Sequence, residues 1–243
     1  MLGELIDNLF TMAKAGRPWT VGKHSELKQI DDNLWGVEDV FAMGIHRRMC
    51  IIKRSDGSLL FFHAVPVDDA TLAQIRALGT PKYLVVGHDQ HAVDTKAFQE
   101  KLGLKAYGPK KQAAELSKRF NYSGGLEDIP TDTTMHVIET PGSKKDETTI
   151  IVKSAGGSRV SILTSDVLQN NPPTIPFMFR LLGFAGGPKV VPIYRMMFVS
   201  DKSLLKKTLS DWANIPSLVR LVPFHGGIVE NPAETIRKAA AAL

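Results

Sequence analysis

The sequence predicts an α/β protein with a layered architecture in a single domain. Two observations support this prediction. Candidate β-hairpins alternate along the chain with strand–helix units, and this mixture is typical of layered α/β folds. In addition, no linker rich in proline, glycine and serine divides the 243 residues, a length that suits one large domain or two small ones.

The composition is that of a globular protein. Hydrophobic residues make up 43% of the chain and charged residues 23%, which excludes collagen-like, coiled-coil and wholly disordered proteins. The single cysteine, Cys50, excludes internal disulfides and four-cysteine metal sites. No run of 18 apolar residues occurs, and Glu4 and Asp7 interrupt the apolar start. We therefore expect a cytoplasmic location, no signal peptide and no membrane partner.

The basic charge is dispersed over the chain. Thirty lysines and arginines outnumber 25 acidic residues, for a net charge of +5. The basic clusters are pairs such as Lys110–Lys111, and none alternates with aromatic residues as a base-stacking surface requires. We therefore expect no nucleic-acid partner.

The first half of the chain contains three candidate helices and four candidate strands. Residues 3–14 have the apolar spacing of an amphipathic helix. Asp56-Gly57 is a typical hairpin turn. The elements that follow the opening helix are predicted strands at 27–36, 48–54 and 59–65, a helix at 71–78 capped by Asp68 or Asp69, a strand at 82–86, and a helix at 95–102 capped by Asp94.

The second half contains further strands and two well-marked helices. Apolar runs predict strands at 134–140, 148–154, 159–164 and 218–223, and a helix at 202–213. The last helix is expected to start with Asn231 as its cap, Pro232 at the first helical position and Glu234 at the third. Residues 167–199 form the least regular section.

Histidine and aspartate residues follow three of the apolar strands. His88 and His91 come after strand 82–86, Asp166 after strand 159–164, and His225 after strand 218–223. In α/β folds the loops at the carboxyl ends of strands converge on ligands. Imidazoles with a carboxylate are a common ligand set for zinc, iron or manganese. Alternatively, each residue has an ordinary loop role, such as capping a turn.

These residues and the order of the elements resemble the metallo-β-lactamase fold superfamily over about residues 27–243. In that order an early hairpin precedes a strand ending in an HxHxDH motif, a PGH-like turn, a strand ending in aspartate, and a last strand ending in His-Gly. The likeness is to an uncharacterised subfamily in which the motif is eroded. It implies a four-layer αββα sandwich in a domain at 27–243, with 1–26 as an N-terminal helix and lead-in.

The chain departs from the superfamily pattern at three positions, two in the HxHxDH motif and one in the PGH-like turn. The HxHxDH motif falls on residues 86–91, where Val86 replaces its first histidine and Gln90 its aspartate, and Ser143 replaces the histidine of the PGH-like turn. By the resemblance, the first metal site is lost. The second keeps His91, Asp166 and His225, with Gln90 at its fourth position. We therefore expect one divalent metal ion, zinc or else iron or manganese.

The resemblance implies a metal-dependent hydrolase acting on an ester, lactone or similar small molecule. Asp166 would take part in catalysis, and His88 would orient the attacking water or protonate the leaving group. The alternative is a metal-free pseudoenzyme that binds a small molecule or a partner. The apolar segment 172–198 is interpreted as a lid or pocket wall, as a homodimer contact, or as a buried helical hairpin. His63, at the end of the early hairpin, faces either the cluster or the core.

Overall fold

The computed structural model describes residues 17–41 and 45–243, so the predicted opening helix at 3–14 lies outside the described part. The strands are β1 Lys28–Asp31, β2 Leu34–Phe41, β3 Ile45–Lys53, β4 Ser58–Phe62, β5 Thr80–Val85, β6 Lys105–Tyr107, β7 Tyr122–Gly124, β8 Met135–Glu139, β9 Thr148–Ser154, β10 Arg159–Thr164, β11 Leu218–Pro223 and β12 Val229–Glu230. The helices are α1 Asp69–Leu78, α2 Thr95–Leu102, α3 Ala113–Ser117, α4 Phe177–Leu181, α5 Pro192–Met197, α6 Lys202–Ala213 and α7 Ala233–Ala241.

The strands form two sheets. The 7-stranded sheet has the order β1-β2-β3-β4-β5-β6-β7, and the 5-stranded sheet has the order β12-β11-β10-β9-β8. Strands β4 and β5 are parallel in the first sheet, as are β10 and β11 in the second. Each of these parallel pairs therefore ends at one edge of its sheet, where the following loops begin.

Three hydrophobic cores separate four layers. Successive side chains of a strand face opposite sides of its sheet, so Phe61 packs with Phe98 of α2, whereas Phe62 lies between the two sheets. Leu209 of α6 and Ile236 of α7 cover the outer face of the second sheet. The predicted α/β class and four-layer αββα sandwich are confirmed. Among the described residues, no helix is both long and apolar enough to cross a membrane.

The lead-in at 17–26 packs against this sandwich. The Trp19 ring lies 4.8 Å from the Phe98 ring, and His24 Nε2 accepts a hydrogen bond from the backbone N–H of Asp68 at 3.0 Å. Asp68 in turn caps α1 by accepting from the N–H of Thr71, as the sequence predicted.

Asp31 ties the two sheets together. It lies at the end of β1 in the first sheet, while Arg159 of β10 and Arg220 of β11 belong to the second. Arg159 Nε donates to Asp31 Oδ2 at 3.0 Å, and Arg220 Nη1 donates to the same oxygen at 2.5 Å. The hydrogen bond from Arg159 is the main reason that the pKa of Asp31 lies well below its usual range.

Asp31→Asn should lower the free energy of unfolding by about 2 kcal/mol at neutral pH, because the charged hydrogen bonds to two arginines are lost. The loss is limited because Arg159 is partly exposed, so that water screens its charge. A carboxylate with a lowered native pKa stabilises the fold above its unfolded pKa of about 4 and loses that effect as the pH falls further. The wild-type protein should therefore lose more stability between about pH 5 and pH 3 than the variant. Urea unfolding at several pH values measures this, and parallel pH curves would contradict it.

Several predicted elements need correction. The predicted strand 27–36 is a hairpin, because the turn-forming residues Asp32 and Asn33 separate β1 from β2. The last helix starts at Ala233 and has no side-chain cap, because Asn231 has a left-handed backbone (φ 50°). The three-residue strands β6 and β7 were missed because they are too short to show a periodic pattern.

Asp94 occupies the N-cap position of α2, as predicted, but its side chain does not cap the helix. The helix forms at 95–102, and Asp94 makes no side-chain cap hydrogen bond. Its buried carboxylate binds Arg17 Nη2 at 3.1 Å and Arg47 Nη1 at 2.7 Å. Burying a carboxylate favours cationic partners over a single backbone N–H, and neither arginine is near Asp94 in sequence.

Candidate metal site

The candidate site lies where strands from both sheets end. His88 and His91 follow β5 in the first sheet, with His91 closing a short 3-10 turn at Asp89–His91. Asp166 follows β10 and His225 follows β11 in the second sheet. Each of these parallel strand pairs ends at one edge of its sheet. The four side chains that follow the strands lie together there, as the sequence predicted.

The Asp166 carboxylate is the centre of the cluster. Its Oδ2 lies 2.9 Å from His88 Nε2 and 3.3 Å from His91 Nε2. Its Oδ1 lies 3.4 Å from His225 Nε2 and accepts a hydrogen bond from Gln169 Nε2 at 3.1 Å. Within the described residues, His88, His91 and Asp166 form a group whose ligand atoms all lie within 4.8 Å of one another.

Hydrogen bonds on the far side of the rings orient two of the histidines. His225 Nδ1 lies 2.8 Å from the backbone oxygen of His46, so it must donate, and its Nε2 then keeps a free lone pair. His91 Nδ1 lies 2.8 Å from Ser165 Oγ, which can accept in the same way. Partners of this kind fix the tautomer of metal-binding histidines.

His88 has the opposite arrangement. Its Nε2 lies 2.9 Å from Asp166 Oδ2, and its Nδ1 lies 3.3 Å from the backbone N of Gln90 and 3.8 Å from Asp89 Oδ1. Burial opposes the charged ring, but the hydrogen bond to Asp166 and the carboxylates around it raise the pKa of His88 to about 9. This raised pKa separates His88 from His91 and His225, because its Nε2 holds a proton at neutral pH and donates it to Asp166.

The charges of the cluster are mutually dependent. Burial alone would raise the pKa of Asp166, but the neighbouring histidines hold it well below its usual range. Burial lowers the pKa of His91 and of His225, which keeps both rings neutral at neutral pH. A neutral imidazole beside an ionised carboxylate is the state that binds a metal ion.

The site has no room for a larger residue at Gly87. A Cβ at this position would collide with the side chains of Ser165 and His63. Glycine therefore permits the close approach of β5 to the loop that carries Asp166.

His63, at the end of β4, lies beneath the cluster and belongs to it by contact. It is 2% exposed, and its ring lies 3.9 Å from the Phe224 ring and 5.2 Å from the His91 ring. Its backbone is left-handed (φ 63°), and neither ring nitrogen has a hydrogen-bond partner among residues 17–41 and 45–243. Burial lowers its pKa well below the usual range, so the ring is neutral.

Gln90 lies next to the cluster, and its backbone N is 3.3 Å from His88 Nδ1. Its assignment as a ligand stays a prediction.

A second buried group, which the sequence pattern did not indicate, consists of Ser143, Glu147 and Tyr194. Glu147 Oε1 accepts from the backbone N–H groups of Asp166 and Val167 at 2.7 and 2.9 Å. Tyr194 donates to Glu147 Oε2 at 2.8 Å, and its hydroxyl lies 3.2 Å from Ser143 Oγ. The one local signal in the sequence was the acidic residue Glu147 directly before the apolar strand β9, and it did not indicate which residues Glu147 contacts.

Segment 172–198 is partly core and partly surface. Phe179 and Tyr194 are buried, which agrees with the interpretation as a helical hairpin. Phe177, Leu181 and Met196 are 75%, 72% and 77% exposed. The segment adjoins the site, because Gln169, which contacts Asp166, pairs with Lys189. The homodimer and lid interpretations stay predictions.

The architecture is similar to that of several solved structures. A metallo-beta-lactamase from Pontibacter korlensis is 12% identical, covering 90% of this chain and 99% of that chain, with a TM-score of 0.60. The DIM-1 metallo-beta-lactamase exposed to ceftazidime is 12% identical over 91% and 99%, with a TM-score of 0.61. A Cronobacter sakazakii metallo-beta-lactamase described by a HARLDQ motif is 13% identical over 90% and 94%, with a TM-score of 0.53.

These similarities show which fold the chain has. The chain has a metallo-β-lactamase fold over about nine-tenths of its length, in agreement with the resemblance seen in the sequence. No protein-family model matches the sequence, and no curated protein matches it.

The donor atoms suit a small divalent cation. Two ligands about 2.0–2.1 Å from a tetrahedral ion lie about 3.3 Å apart. His91 Nε2 lies 3.3 Å from Asp166 Oδ2, which matches this spacing, and His225 Nε2 lies 3.4 Å from the other oxygen, Oδ1. Imidazole nitrogens and one carboxylate are ligands that zinc, iron and manganese accept.

Proposed function

We propose that this protein is a metal-dependent hydrolase with a single-metal site. The supporting observation is the Asp166 carboxylate facing the Nε2 atoms of His91 and His225. The Nδ1 of His225 has the His46 oxygen as its acceptor, and the Nδ1 of His91 faces the Ser165 hydroxyl. His91, Asp166 and His225 would hold the ion. Gln90 or water would complete its ligands.

A bound divalent metal supplies a water molecule that ionises near neutral pH. His88 would hold a proton at Nε2, the atom that faces Asp166. It would donate that proton to the leaving group, since general acids act at hydrogen-bond distance. Asp166 would orient both His88 and the attacking water. The substrates we propose are esters, lactones or similar small molecules, and we propose a cytoplasmic location.

A metal-free binding protein is the second candidate, and one observation favours it. The Asp166 carboxylate already accepts hydrogen bonds from His88 and Gln169, at 2.9 and 3.1 Å. Buried polar groups that satisfy one another do not require an ion.

The metal content of protein purified without added metal or an affinity tag decides between these candidates. About one equivalent of zinc, iron or manganese in the wild type, and none in His225→Ala, supports the metal site. Esters, lactones and thioesters would then be screened as substrates. A wild type that stays metal-free after incubation with each ion favours the binding protein.

A further inference from the structure

Glu147 is a buried carboxylate that the proposed chemistry does not use. It is 1% exposed, and its partners are the backbone N–H groups of Asp166 and Val167 and the Tyr194 hydroxyl. Within residues 17–41 and 45–243, no ion pair with lysine or arginine involves Glu147. Its nearest charged groups are those of the histidine and aspartate cluster. Glu147, directly before β9, therefore binds the turn that carries Asp166 rather than a basic side chain of the described residues.

Glu147 also determines where Asp166 points. One oxygen, Oε1, binds two successive backbone N–H groups of the turn that follows β10, at 2.7 and 2.9 Å. The same turn carries Ser165, which contacts His91. Holding this backbone therefore orients Asp166 toward the cluster and Ser165 toward His91.

Tyr194 extends this contact to helix α5. The Tyr194 side chain is buried and donates to Glu147 Oε2. Met196, on the same helix, is 77% exposed. Segment 172–198 thus supports the site from behind through one hydroxyl group, a role that the sequence did not indicate.

We propose that Glu147 is a positioning residue of the metal site. It holds the Ser165–Val167 turn so that Asp166 faces the histidines. This inference rests on the proposed function, because the single-metal site is what Glu147 would serve.

Glu147→Gln keeps the shape of the side chain and replaces its carboxyl group with an amide, which is a weaker hydrogen-bond acceptor. Changes of this kind behind a metal ligand lower metal affinity about 10- to 100-fold, and we expect a fall in that range for Zn²⁺ and Mn²⁺ by isothermal titration. Tyr194→Phe removes one hydrogen bond and should lower affinity several-fold. Glu139→Gln, which removes an exposed carboxylate at the end of β8, is the matched control and should leave affinity unchanged.

A second readout does not depend on metal. NMR hydrogen exchange of the Asp166 and Val167 amides should be faster in Glu147→Gln than in the wild type, because their acceptor is weakened. Tyr194→Phe gives the same test if Glu147→Gln does not fold. Unchanged metal affinity in a folded Glu147→Gln protein overturns the proposed role. If the wild type binds no metal, the proposed function fails, and amide exchange alone decides whether Glu147 holds the turn.

Discussion

Asp166→Ala should abolish both metal binding and hydrolysis. Within the described residues, Asp166 is the carboxylate that contacts His88, His91 and His225 together. Its loss leaves imidazoles without a counter-charge for a divalent ion. Since a change behind a ligand already costs about 10- to 100-fold in affinity, loss of the shared ligand should cost more than about 100-fold.

Metal content after dialysis and titration with Zn²⁺ measure this effect, and an ester and lactone screen measures activity. Asp211→Ala is a matched control, because Asp211 is exposed on α6 and pairs with Lys207. A folded Asp166→Ala protein that keeps one equivalent of metal and its activity would show that the site is elsewhere.

Phe224→Ala should have the largest effect on stability among substitutions at the site. Phe224 is 5% exposed, and its ring lies 3.9 Å from His63, 4.3 Å from His91 and 4.5 Å from His225. Removing a buried phenyl ring leaves a cavity, and the free energy of unfolding should fall by about 3–5 kcal/mol. The three imidazoles would also lose the surface on which they pack, so we expect weaker metal binding.

Phe61→Ala separates these two effects. Phe61 is fully buried, but it packs in the core between the first sheet and the helices, beside Phe98. It should lose a similar amount of stability in urea unfolding and keep the wild-type metal affinity. Equal losses of metal affinity in both variants would show that Phe224 acts through general destabilisation.

The site could be located from the sequence to a useful degree. His88, His91, Asp166 and His225 each follow a strand whose apolar run is visible in the sequence, and the structure brings all four together. Their exact roles could not be predicted in this way. The proton on His88 depends on its hydrogen bond to Asp166, and the ring of His225 depends on the carbonyl of His46.

Other parts of the site gave no usable local signal. In the sequence, nothing distinguishes Glu147 from an ordinary polar residue before β9. Its partner Tyr194 lies in the irregular segment, 47 residues further along the chain. The Asp94 cap failed for the same reason, because its partners Arg17 and Arg47 lie far away in sequence. Long-range polar partners depend on how layers pack, and burial then selects the strongest available pairing.

The sequence by itself determined the α/β class, most strands and helices, and the positions of the histidine and aspartate residues that follow the strands. These features depend on local periodicity and turn chemistry, which neighbouring residues encode. Only the tertiary structure decided that Asp166 is the centre of the cluster, that Asp31 joins the two sheets, and that Glu147 lies behind the site. Those contacts form when two sheets stack, and burial then requires each polar group to find a partner from another part of the chain.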